Sequence, residues 1–395
     1  MKKIVILGGG FGGLYTALRL KELSWTNSQP EIILVEKNDR FVFSPLLYEL
    51  ITEEMQSWEV APYYADLLAN TPIRFIQDTV ASVDEENQEV LLENSGILKY
   101  DRLVVALGGK TPTGMVEGAK DNALPFRSLD HAYNLKEKLR NLETSDKETI
   151  RVAIVGGGYS GVELALKIAD RLGDKGRIRI IDRNSDILSD SPNFNQEKAK
   201  KALTEKEIWL DLDTDVVSIE PEQISLDYKG KVDTIPTDIV LWTVGTTPTT
   251  IDNDLPFPKN DRGQIQINSF LQVEEHPHVF ALGDLVLSED SEGNTLPATA
   301  QVAFQQSDYC AWNIWATIEN KPLLDFKYQP LGEMLALGDN DATLSGLGVS
   351  IDGGLAYFAR RLVYLYRLPT VEHQMAVALN WITNPISSFL NSLSA

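Results

Sequence analysis

Residues 3–36, KIVILGGGFGGLYTALRLKELSWTNSQPEIILVE, have a second copy at residues 151–182, RVAIVGGGYSGVELALKIADRLGDKGRIRIID. Each copy runs from a β-branched stretch through a glycine loop into an amphipathic helical pattern. A second β-branched stretch and a terminal acid follow. A lone G-x-G-x-x-G is weak evidence, because glycine-rich turns are common. Here each loop follows a strand pattern and opens a helix pattern. Glu36 stands 23 residues after Gly13, and Asp182 stands 21 after Gly161; a dinucleotide fingerprint places its acid roughly 20 residues on. Gly8 and Gly156 would allow the tight turn, Gly10 and Gly158 the backbone's approach to a pyrophosphate, and Gly13 and Gly161 close helix–strand packing. The helix N-terminus then offers free N–H groups to the phosphates. Glu36 and Asp182 would accept hydrogen bonds from ribose hydroxyls. Two complete loops imply two dinucleotides, one held tightly and one exchanging.

With 395 residues the chain has length for two or three cores. Its 57 acidic against 36 basic residues give a net charge of -21, which opposes a nucleic-acid partner. The single cysteine, Cys310, rules out an intrachain disulfide and a Cys-x-x-Cys centre and fits a reducing compartment. The apolar N-terminal run enters a glycine loop in place of a cleavage site, so it does not read as a secretion signal. No apolar run approaches the ~18–20 residues needed to span a bilayer. The four histidines form no metal constellation, and no metal is expected.

Three further stretches follow one plan. Residues 97–112 and 235–248 each put an acid before a buried-strand pattern that ends in glycine, and residues 276–285 form a third such strand ending in Gly283-Asp284. In the order of these motifs, residues 1–330 resemble the flavin-dependent pyridine-nucleotide oxidoreductases. That resemblance implies an α/β fold with two Rossmann-like domains, the second inserted in the first. FAD would occupy residues 1–113 and 248–330, NAD(P)H residues 114–247, and a C-terminal domain residues 331–395. It also implies that Asp284 contacts the ribityl chain of FAD. Within the superfamily, disulfide and sulfide chemistry need several thiols, which Cys310 alone cannot supply.

Residues 36–50, 297–306 and 328–348 look like type II NADH:quinone oxidoreductase, whose AQxAxQ signature is matched by Ala300, Gln301, Ala303 and Gln305. The resemblance implies FAD contacts at Gly8, Gly10, Phe11, Gly12, Gly13, Glu36, Lys37, Pro45, Val80, Ala106, Gly108, Gly283, Asp284, Ala300, Gln301 and Val302. It implies nicotinamide-cofactor contacts at Gly156, Gly158, Tyr159, Gly161, Glu163, Asp182 and Gly245. Gln301 and Gln305, four apart on one helical face, are either surface amides or neutral hydrogen-bonding groups lining a quinone channel. Pro297 suits the first turn of that helix, whose N-terminus would face the flavin where negative charge develops. Glu163 is either a first-turn acid favoured by the helix dipole or a catalytic group for gating or proton supply near nicotinamide and quinone. Asp182 favours NADH by repelling the 2′-phosphate of NADPH; Arg183 beside it leaves NADPH open.

From residue 355 to 395, Arg360, Arg361 and Arg367 against Glu372 give 3 − 1 = +2. Tyr357, Phe358, Tyr364, Tyr366 and Trp381 recur among aliphatics, with breaks expected at Pro369 and Pro385. Short apolar helices with arginine and aromatics suit the bilayer surface; self-packing or a homodimer interface is the alternative. The resemblance favours the membrane. The expected protein is a peripheral flavoenzyme on the cytoplasmic face of a membrane, passing a hydride from NADH to flavin and two electrons to a quinone without pumping protons. Plastoquinone, menaquinone, phylloquinone-type quinones and ubiquinone all stay open, as does a biosynthetic naphthoquinone of the demethylphylloquinone type. The rivals are a ferredoxin- or rubredoxin-type reductase and an NADH-sensing flavoprotein.

Overall fold

The computed structural model describes the chain apart from residues 27, 250–254, 291–292 and 395, with side chains as far as residue 383. It divides into two units: residues 1–43, 61–110 and 246–329, and residues 44–60, 111–245 and 330–395. Segment 44–60 and the C-terminal residues from 330 therefore cluster with the second nucleotide fold.

In the first unit, Lys3–Leu7 lies between Glu31–Glu36 and Arg102–Val105, all parallel. Ile73–Gln77 extends one side and His276–Ala281 the other. The late strand thus joins the sheet begun by the chain's first residues. Both faces are covered, which is why Ile4, Val5, Ile6 and Leu7 are all buried. One face packs Val5, Leu7, Val35 and Val105 onto Val80, Val83, Val90 and Leu92 of a three-stranded antiparallel sheet. Elsewhere in the unit the helix Phe11–Glu22 runs against Ala300–Glu319.

The second unit repeats the plan. Ile150–Val155 lies between Gly176–Ile181 and Ile239–Trp242, with Trp209–Asp211 and Ala123–Pro125 outside them, all parallel. A three-stranded meander, Thr214–Glu220, Gln223–Tyr228 and Lys231–Pro236, packs Ile219, Ile224 and Leu226 onto Ala153, Val155, Ile181 and Val240. The acid preceding each inner strand does the same job in both copies. Asp101 accepts the backbone N–H of Lys3 at 2.8 Å, and Asp238 that of Arg151 at 2.7 Å. Each carboxylate closes the otherwise open start of the neighbouring strand.

Beyond residue 330 come a small antiparallel sheet, Glu333–Ala336, Ala342–Gly346 and Val349–Asp352, and the helices Gly353–Arg367 and Val371–Ser394. Pro369 falls in the break between the helices. The second helix continues past position 385, against the expected break there; one proline removes a single N–H from the ladder and leaves the other bonds standing. No described helix is long and apolar enough to cross a membrane.

Candidate functional site

Both glycine loops form the same cradle, and sterics give each glycine its reason. At Gly13 a Cβ would sit 1.8 Å from the carbonyl oxygen of Gly8; at Gly161 it would sit 1.8 Å from that of Gly156. No side chain fits, so the helix can lie this close only on glycine. Gly8 and Gly156 have φ of 96° and 112°, a region other residues rarely adopt. Among the described residues, a Cβ at Gly10 or Gly158 would meet nothing within 4 Å. The middle glycine of each loop therefore faces open space, at the entrance of a helix with no side-chain cap. A pyrophosphate approaching backbone N–H groups fits this arrangement in both units.

The two acids are aligned alike. Glu36 accepts the Gly9 N–H at 2.9 Å and the Asn38 N–H at 3.0 Å. Asp182 accepts the Gly157 N–H at 2.5 Å and the Asn184 N–H at 2.8 Å. Each carboxylate is thereby fixed beside its loop, where a ribose would lie. Ala106 packs into the first cradle, its carbonyl oxygen 2.3 Å from a Cβ built on Gly8, and Gly108 turns the chain at φ 68°. Gly12 faces Leu282 and Ala106, and so abuts the end of the late strand. Phe11 stacks on Tyr15 and meets Phe41 and Phe43 edge-on. Lys37 is exposed, and Val80 is buried in the sheet core. Gly245 turns at φ 75° against Pro112 in the second unit. Pro45 also falls in the second unit, where its carbonyl accepts a hydrogen bond from Arg360 at 3.0 Å. Tyr64 went unread in the sequence: it is buried and donates to the Gly9 carbonyl at 2.7 Å.

The helix Ala300–Glu319 is capped by Thr299, whose hydroxyl accepts the Val302 N–H at 3.3 Å. Pro297 lies before this cap and outside the first turn, because threonine supplies the acceptor that proline lacks. Gln301 accepts the Tyr328 hydroxyl at 2.7 Å. Gln305 grips the backbone of Gln329 both ways, donating to its carbonyl at 2.8 Å and accepting its N–H at 3.0 Å. These amides are anchored to residues 328–329. Their neighbour Gln306 is fully buried, accepts the Gly283 N–H at 2.8 Å and donates to Ser288 at 3.1 Å. It fixes the turn at Gly283 (φ 83°) beside Asp284. The doubled glutamine was the only signal for it.

Glu163 is the fifth residue of the helix Tyr159–Leu172 and is buried, which excludes the first-turn dipole reading. Burial pushes its carboxyl up to about 7, opposed by the Arg360 guanidinium at 3.6 Å and the Ala336 N–H at 2.9 Å. Arg360 is completely buried and pairs with Glu49 at 2.6 Å. Lys167, equally buried, sits 2.8 Å from Glu49 and also touches Glu54 and Asp339. Burial works against the Glu49 charge, but the hydrogen bond with Glu54, then Arg360 and Lys167, hold it below the usual carboxylate range. Burial and Glu49 push Glu54 up to about 7. In the same helix as Glu163, Tyr159 donates to Glu333 and bonds Ser191 at 2.6 Å.

Two dinucleotide cradles, each with its acid, define a pyridine-nucleotide flavoprotein, and the model for the pyridine nucleotide-disulphide oxidoreductases matches residues 2–307. The chain belongs to that family, in its branch of type II NADH:quinone oxidoreductases. It is 54% identical to demethylphylloquinone reductase NdbB of Synechocystis, over 99% of this chain and 98% of that protein. It is 43% identical to the alternative NAD(P)H-ubiquinone oxidoreductase C1 of Arabidopsis thaliana, over 96% and 80%. The fold matches NDH2 of Plasmodium falciparum solved with NADH, with TM-score 0.84, 18% identity, and 97% and 98% of the chains covered.

Proposed function

We infer that this chain oxidises NAD(P)H and reduces a quinone, with FAD in the first cradle and the nicotinamide nucleotide in the second. One observation carries the reading: two sterically complete cradles, each opening at its middle glycine beside a fixed carboxylate. Bound FAD supplies the redox chemistry, accepting a hydride from nicotinamide and delivering two electrons to quinone. The chain's residues orient and separate the reactants. Glu36 and Asp182 receive the ribose hydroxyls, and Asp182 favours NADH over NADPH. Asp284, beside the turn that Gln306 holds at Gly283, would contact the ribityl chain. Gln301 is the amide assigned to the quinone, while Gln305 positions the segment at Gln329. Glu163, whose carboxyl is raised to about 7, retains a proton near neutral pH for quinone reduction.

The favoured acceptor is a naphthoquinone, supported by the identity to a demethylphylloquinone reductase over nearly the whole chain. The helices Gly353–Arg367 and Val371–Ser394 are assigned to the membrane surface. Leu355, Phe358, Leu362 and Tyr366 form an exposed stripe on the first, and Val371, Met375, Leu379 and Ile382 one on the second. Their spacing of three and four residues puts each stripe on one helical face. We assign these stripes to lipid on the cytoplasmic side of a membrane; a dimer is the competing outcome. The test compares turnover of soluble naphthoquinones and benzoquinones by the FAD-loaded protein. Naphthoquinones should give the higher kcat/KM. Faster reduction of a ferredoxin or rubredoxin than of any quinone would contradict the assignment.

A further inference from the structure

The sheet of the second unit bears a cleft at the end of its strands away from the glycine loop. Arg151 lies opposite Arg177 in the parallel register, and Arg179 opposite both Ala153 and Trp209. Side chains alternate along a strand, so Arg151, Ala153, Val155, Arg177, Arg179, Ile181 and Trp209 share one face. Toward the glycine loop that face is sealed by the meander, through Ile219, Ile224 and Leu226. At the strand starts the seal ends, leaving a cleft of about 300 Å³ lined by Arg151, Arg177, Arg179, Trp209, Ile235 and Pro236 among others.

Its chemistry inverts that of the whole chain. Acids outnumber bases by 57 to 36 overall, yet among the described residues the lining holds three guanidiniums and no carboxylate. Arg179 is paired with Asp211 at 2.8 Å and lies 5.6 Å from the Trp209 ring centroid. Arg177 donates to the carbonyls of Asp174 and Gly176 at 2.8 and 2.7 Å, which orients its guanidinium without neutralising it. The Arg151 side chain has no hydrogen-bond or ion-pair partner among the described residues, and Trp209 is 51% exposed. One oriented and one unpartnered guanidinium beside an open indole suit an anion with a flat apolar body.

We propose that this cleft binds a small planar aromatic anion. The ring lies against Trp209, Ile235 and Pro236, and its carboxylate or phosphate lies on Arg151 and Arg177. Gly156 lies five residue steps along extended strand from Arg151, about 17 Å, so the ligand and the nicotinamide nucleotide occupy separate sites.

The test is calorimetric titration of the FAD-loaded protein saturated with NAD⁺, which blocks the second cradle. The probes are 2-naphthoate and AMP, one for each anion chemistry, with inorganic phosphate and uncharged 2-naphthol as controls. At least one aromatic anion should bind once per chain, more tightly than either control. The double variant Arg151→Ala/Arg177→Ala should weaken it at least tenfold, with flavin content, melting temperature and NADH oxidation unchanged. Trp209→Ala should weaken the aromatic probe and leave inorganic phosphate as it was. Arg151→Gln alone, at an exposed position, serves if the double variant is unstable and should weaken binding severalfold. Undiminished binding in the arginine variants, or no binding of either probe at millimolar concentration, would overturn the proposal.

Discussion

Glu163 and Arg360 define what a single residue contributes here. An unfolded glutamate titrates near 4.5, whereas Glu163 in the fold is pushed up to about 7. Between those values the folded protein retains a proton that the unfolded chain has released. The associated stability is complete below pH 4.5 and is lost as pH rises through 7. Glu163→Gln keeps the neutral shape and abolishes the titration. The melting temperature of the wild type minus that of the variant should therefore fall from pH 5 to pH 8. A constant difference would remove Glu163 as the titrating group, since Glu54 titrates in both proteins. The sequence could name Glu163 but could not distinguish its surroundings, because Arg360 and Glu49 reach it from distant parts of the chain. Glycines were far more legible. Gly13 and Gly161 are dictated by a collision with a carbonyl five residues earlier, a constraint that lies within the local sequence.

Elements show where patterning succeeds and where it misleads. The strand–loop–helix units were legible because loop, strand and acid are adjacent in sequence and occur twice. In the C-terminal helices the pattern located the segments but did not resolve their faces. Arg360, expected among interfacial cations, is fully buried and paired with Glu49. Tyr357 turns inward to donate to Glu54 at 2.7 Å, and Trp381 donates to Glu59 at 2.9 Å. A helix apolar on most sides does not announce which side meets protein; the acids at Glu49, Glu54 and Glu59 decide it. The outward stripes remain apolar, and they carry the membrane prediction. Leu362→Glu with Leu379→Glu should reduce sedimentation with anionic or zwitterionic vesicles at least fivefold, while turnover of a water-soluble quinone stays within twofold of wild type. Unchanged vesicle binding would remove these helices from the membrane surface. Loss of a dimer at unchanged vesicle binding would assign them to a subunit interface.

Across the whole molecule, the chain is one design used twice: parallel sheet, glycine cradle, covering meander and closing acid. Asp101 and Asp238 perform the same backbone closure, and Glu36 and Asp182 the same loop closure. The duplication was legible because each copy is continuous over roughly thirty residues. The return of the strand His276–Ala281 to the first sheet was legible from the order of motifs. The clustering of residues 44–60 with the second unit was not, because it joins segments far apart in the sequence, as the Glu49–Arg360 pair does. Duplication leaves one question of division of labour, and we assign FAD to the first cradle and NADH to the second. Anaerobic rapid mixing of purified Glu36→Ala and Asp182→Ala proteins with NADH, after measuring their bound flavin, tests that assignment directly. Glu36→Ala should lose flavin at least tenfold more readily than wild type. Asp182→Ala should keep its flavin and need at least tenfold more NADH to reduce it. Flavin lost from Asp182→Ala and retained by Glu36→Ala would contradict the account.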